Sequence, residues 1–169
     1  MPDTAVLPLP APPTAGGYTL RRDRCVVELS VRLLRLPVLR GRLAATGGHW
    51  TPGSALTVVL DSASLRTGVP LLHRTLTGPR GLDGAGLTFV AEEVEAAEEL
   101  VLDGRVHLPD ATREARLRGD IRYQDEECVV LWAAGVIPPP RRKPRSLGRL
   151  ARLLAGRRLH VEIAIEFVR

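Results

Sequence analysis

Cysteine, lysine and aromatic residues are scarce in this chain, and each shortage removes a class of protein. Two cysteines, Cys25 and Cys128, among 169 residues are too few for a disulfide framework or a zinc knuckle. No stretch approaches the roughly 18 apolar residues that a membrane-spanning helix needs. Lysine occurs once, at Lys143, against 23 arginines, so a GC-rich coding bias accounts for much of the net charge of +5. The beginning, MPDTAVLPLPAPPTAGG, carries no basic residue, and Pro8, Pro10, Pro12 and Pro13 interrupt any apolar run. A secretory signal is not expected from it, and the expectation is a cytoplasmic protein. No G-x-S-x-G elbow and no phosphate-binding glycine loop occurs. His49, His73, His107 and His160 fall in four separate segments without ligand spacing, so neither a metal site nor catalysis is expected, and no cofactor is implied. Cys25 and Cys128 each open an apolar strand and read as small core residues.

What is present is 44% hydrophobic and 25% charged residues, the balance of one globular domain with a full core. Residues 1–16 form a flexible Pro-rich lead, and 17–169 form the domain. From Cys25 onward the pattern alternates with period two, which predicts half-buried antiparallel strands. Cys25, Val27, Leu29, Val31 and Leu33 alternate with polar Glu28, Ser30 and Arg32. Leu39–Leu43 returns as a second strand, with Gly47-Gly48 and Pro52-Gly53 as turn signals, and Ala55–Leu60 is a third. Leu87, Phe89 and Ala91 share one face of the next.

Leu100, Leu102, Gly104, Val106 and Leu108 then pair, across a Pro109-Asp110 turn, with Ala115, Leu117, Gly119, Ile121 and Tyr123. Cys128–Ile137 is apolar on both faces. Leu159–Val168 sets Leu159, Val161, Ile163, Ile165 and Phe167 against His160, Glu162 and Glu166. Pro70–Thr77 is a short helix or a loop. Ser146–Ala155 reads as a helix, capped by Ser146 and ended by Gly156. The fold class predicted is all-β: an eight-stranded antiparallel barrel with one or two short helices, a sandwich being the other packing of such strands.

Four sequence pieces resemble the YceI-like family. They are Tyr18-Thr19-Leu20 followed by Val27–Arg32 (VELSVR), Val38–Leu43 (VLRGRL), Ala63–Gly68 (ASLRTG), and Gly104–Leu108 (GRVHL) with Thr112-Arg113 and Leu117. The closing Leu154–Phe167 is similar to the family's last strand. Arg24 and Leu33 stand where that family carries two histidines, and its polar stretch after T-G is replaced by Val69–Thr75. The resemblance implies a lipocalin-like barrel that binds polyisoprenoid or other long-chain lipids.

An eight-stranded barrel either fills with side chains or leaves room for one ligand, and both readings stay open on the sequence. The inward set is read as Leu29, Val31, Val58, Phe89, Val106, Leu117, Val130, Trp132, Ile163 and Ile165. Arg32 matches a family position near the pocket and is a candidate headgroup contact, a solvated arginine being the alternative. Residues 138–158 hold eight cations and no acid, among them Arg141, Arg142, Lys143, Arg145, Arg149 and Arg152. They read as a solvated loop or as a peripheral membrane-surface patch. Nucleic acid is disfavoured because no aromatic residue is interleaved for base stacking. Twelve acids between Glu92 and Glu127 polarise the charge. The predicted function is non-enzymatic binding of an apolar chain. The alternative is an interaction module with a filled barrel that offers the basic segment to an acidic partner. A homodimer stays open.

Overall fold

A computed structural model of the chain describes residues 16–33, 36–68, 86–108, 112–139 and 157–169. The strands are β1 (Tyr18–Leu20), β2 (Val26–Leu33), β3 (Leu36–Trp50), β4 (Leu56–Thr67), β5 (Gly86–Ala96), β6 (Leu100–His107), β7 (Thr112–Gln124), β8 (Cys128–Ile137) and β9 (Leu159–Val168). Each neighbouring pair is antiparallel, and the β2–β9 and β3–β4 pairings complete a closed ring of eight strands, β2 to β9. The predicted barrel is therefore the observed one. Closure removes the exposed sheet edges that an open sheet would present. The short β1, not read from the sequence, lies across the end of this ring and bonds to both β3 and β9.

The alternation read from the sequence has its physical basis in this ring. Along β4, Leu56, Val58 and Leu60 are buried and the residues between them are not. Along β9, Val161, Ile163, Ile165 and Phe167 do the same. Their buried side chains join one continuous apolar cluster on the inner face. Two boundaries differ from expectation. Gly47-Gly48 is no turn: β3 runs on to Trp50, pairing Gly47 with Val59 and Gly48 with Val58. A Cβ on Gly48 would stand 2.5 Å from the Thr57 carbonyl oxygen and 3.2 Å from the Leu20 Cβ, so glycine lets β1 lie against β3. β4 also continues past Asp61 through a register shift. There the Ser64 hydroxyl donates to the Asp61 carbonyl (2.6 Å) and accepts from the Ala44 amide (2.7 Å), which turns Leu65 into the core.

The two ends of the barrel are unlike. At one, tight turns at 51–55, 97–99 and 125–127 join β3–β4, β5–β6 and β7–β8, and β1 lies beside them. Asp125 shapes the last of these turns by accepting from the Glu127 and Cys128 amides (2.8 and 2.6 Å) and from Tyr123 Oη (2.7 Å). At the other end stand Thr67 and Gly86, and Ile137 and Leu159, the strand ends between which the longest connections run. The Pro-rich lead up to residue 15, the Pro109-Asp110 turn and the helix expectations at Pro70–Thr77 and Ser146–Ala155 lie outside the described residues. Among the described residues the helical content is one 3-10 turn, Arg22–Arg24, and no helix is long and apolar enough to cross a membrane.

Candidate functional site

Eight of the ten residues read as inward-facing belong to the apolar interior. Val31, Val58, Phe89, Leu117, Ile163 and Ile165 are buried, and Leu29 and Val106 are partly buried and packed against them. Val130 and Trp132 are a correction. β8 pairs Val129 with Phe167, Leu131 with Ile165 and Ala133 with Ile163. Directly opposed residues share a face, so the odd residues of β8 point inward with the core of β9. Val130 faces Glu166 and Trp132 faces Ala164 on the outer wall. Trp132 is used there: its Nε1 donates to Glu162 Oε1 (2.9 Å), and the Arg122 guanidinium lies 5.5 Å over its ring.

The wall formed by β5–β8 is lined by small residues. Ala91, Gly104 and Ala115 are direct neighbours across three strands, as are Gly119 and Ala133 across two. At Gly104 and Gly119 the backbones pass so close that a Cβ would overlap main-chain atoms of β5 and β8 respectively. Close approach of a neighbouring backbone is a common use of glycine inside a strand. The tight-turn end is filled by aromatic rings. Tyr18 and Trp50 stack with centroids 6.0 Å apart, and Trp50 meets Phe167 at 6.1 Å. Tyr18 carries the first family-like motif, but neither Tyr18 nor Trp50 was read as a site residue, because three separate segments contribute to this cluster and no spacing links them.

Arg32 is exposed, beside the end where the long connections start. Its charge is felt by His160, which pairs with Ser30 across β2 and β9. Burial, then the positive charges of Arg32 and Arg158, push the His160 imidazole below its ordinary 6.5. The folded state therefore disfavours the imidazolium. The contribution of this histidine to stability is whole above pH 6.5 and declines as the pH falls toward the folded value. By NMR, His160 is expected to titrate below 6.5, and Arg32→Gln to move that midpoint up. A midpoint that does not move in the variant separates the two side chains.

The basic residues Arg141, Arg142, Lys143, Arg145, Arg149 and Arg152 lie outside the described residues. So does His73. Cys25 and Cys128 are free. Burial pushes the Cys25 thiol up to about 11, and burial followed by the Glu166 and Asp125 carboxylates raises that of Cys128. Neither is an activated nucleophile, which needs a depressed value. Among the described residues no group of three or more His, Cys, Asp or Glu is placed to hold a metal ion. A surface groove of about 520 Å³ on the outer wall of β5–β8 is crossed by the ion pairs Arg105–Glu92 (3.5 Å) and Arg116–Asp103 (3.4 Å). Such exposed pairs are weak, and the groove lacks the apolar lining that marks most small-molecule sites.

No model of a known protein family matches the sequence, and no curated protein matches it. Solved structures do. One is a polyisoprenoid-binding domain from Saccharophagus degradans implicated in plant cell wall breakdown, with a TM-score of 0.61 and 12% identity over 89% of this chain and 97% of that one. Another is BcnA from Burkholderia cenocepacia, with a TM-score of 0.62 and 13% identity over 89% of this chain and 99% of that one. The barrel that the motif resemblance implied is borne out in the architecture: at 12–13% identity this chain shares the fold of both solved structures.

Proposed function

We propose that the protein binds a long apolar ligand, a polyisoprenoid or other lipid chain, inside the barrel, and acts as a carrier, store or sensor with no chemistry of its own. The observation that carries this reading is the largely apolar inner face, on which Leu102 pairs with Leu117 and Leu131 with Ile165 beside a wall thinned to alanine and glycine. Each CH₂ moved from water into such a space contributes about 0.8 kcal/mol, so a few isoprene units outweigh the cost of association without any polar anchor. A structural neighbour that is itself a polyisoprenoid-binding domain adds support, though one fold hosts many functions.

Native mass spectrometry of the purified protein, followed by solvent extraction, tests the proposal. The expected result is a co-purified lipid chain near one-to-one occupancy, or saturable uptake of an added isoprenoid. An empty protein that also refuses added isoprenoids overturns it. The barrel is then filled by its own side chains, and the basic segment 138–158 becomes the element to pursue.

A further inference from the structure

The three large hydrophobic side chains that stand exposed among the described residues, Val26, Tyr123 and Val136, all lie on one outer wall. Val136 is on β8, Tyr123 pairs with Val130 of β8, and Val26 pairs with Ala164, which pairs with Trp132 of β8. β8 is also the strand without a polar face. With its odd residues turned inward, Trp132, Ala134 and Val136 form an apolar stripe down the outside that continues into Ala164 and Val26. An exposed apolar patch rimmed by charge marks an interaction surface.

The charges on the two flanks of the stripe differ in sign. On β7, Arg116, Arg118 and Arg122 outnumber Asp120, whereas β9 carries Glu162, Glu166 and His160. Ala134 lies in register between Arg118 on one side and Glu162 on the other. Arg116 and Arg118 are more than half exposed, and their ion pairs with Asp103 (3.4 Å) and Glu99 (3.5 Å) are of the weak surface kind. We infer that this wall binds a second copy of the chain, face to face about a two-fold axis running along β8. That axis lays β7 of one copy over β9 of the other, and it sets Arg118 against the partner's Glu162 twice in the dimer. A two-fold axis across the strands lays arginine on arginine and glutamate on glutamate, so the charge pattern selects the first. The ten residues of β8 and the width of β7, β8, β9 and β2 span at most roughly 33 Å by 19 Å, or about 600 Å² per copy. That is the low end for a specific interface, so a dimer of micromolar strength is expected.

Analytical ultracentrifugation of the full chain tests this, and a monomer–dimer equilibrium in the micromolar range is the expected result. Val136→Asp, at an exposed position, and the single reversals Arg118→Glu and Glu162→Arg are each expected to weaken it about tenfold or more. The double variant Arg118→Glu with Glu162→Arg is expected to return to within about threefold of the unsubstituted protein, because the axis along β8 opposes the two altered residues. In the unsubstituted protein the methyl resonances of Val26, Ala134, Val136 and Ala164 are expected to shift on dilution, while those of inward Leu131 and Ile165 stay; this readout needs no variant. A chain that stays monomeric at millimolar concentration, or a dimer that Val136→Asp leaves intact, overturns the inference. A double variant no stronger than the singles overturns the axis along β8 and with it the inference. A monomer whose outer-wall methyls are shielded from a soluble paramagnetic probe also overturns it, and assigns the stripe to residues 140–156 of the same chain.

Discussion

Leu117→Trp is expected to weaken uptake of an apolar chain by about 30-fold or more, and Val130→Trp to leave it within about twofold. Both substitutions add an indole to the same sheet, one strand apart. Leu117 is 2% exposed and lies between Leu102 and Gly135 on the inner wall. A ring there occupies the volume of two or three ligand methylenes, each worth about 0.8 kcal/mol. Val130 sits on the outer wall opposite Glu166, where a larger side chain meets solvent. Overpacking at Leu117 costs about 1–3 kcal/mol of stability, so the melting temperature is read alongside binding of a fluorescent isoprenoid. Undiminished uptake by a folded Leu117→Trp protein would remove the interior as the site. Loss in Val130→Trp would move the site to the outer wall.

The largest loss of stability is expected where neighbouring backbones pass closest to glycine. Gly104→Ala places a methyl group against the Val90 carbonyl and the Ala91 Cα, which belong to the paired backbone of β5 and have no side-chain freedom with which to yield. The cost is about 3 kcal/mol, the upper end for overpacking, or about 10 °C in melting temperature for a domain of this size. Gly47→Ala is the control, because a Cβ there meets nothing within 4 Å. It is expected to be neutral or to stabilise by about 0.5 kcal/mol through the unfolded chain. Calorimetry of the two variants decides the matter. Equal melting temperatures would mean that the closure of β5 on β6 is looser than its register implies.

Period-two alternation was enough to place the barrel strands, because each amphipathic strand has a single way to hide its apolar face. In β9, Glu162 and Glu166 leave no choice about which residues turn inward. β8 has no such marker. Val129, Leu131 and Ala133 are as apolar as Val130, Trp132 and Ala134, and a one-residue slip exchanges the two sets. The motif Ala63–Gly68 was visible as a string, but its work in turning Leu65 inward through Ser64 depends on a register shift between strands. Gly47-Gly48 has the composition of a turn and is a paired strand, since β3 runs on past it to pair with Val58 and Val59 of β4.

What the sequence determined by itself, then, is whatever local periodicity and composition decide: an all-β chain, strands with one wet and one dry face, a buried Cys25 (the matching core reading of Cys128 is corrected, since it is half-buried on the outward register of β8), and no recognisable catalytic motif. Tertiary structure decided what depends on partners far apart in the chain. Pairing with β9 set the inward face of β8 and put Trp132 outside. Close approach of backbones set the requirement for glycine at positions 104 and 119. The meeting of β1, β3 and β9 gathered Tyr18, Trp50 and Phe167 at one end. Hydrophobic pattern is a property of neighbours along the chain, whereas register, closure and the enclosure of a polar atom are properties of neighbours in space.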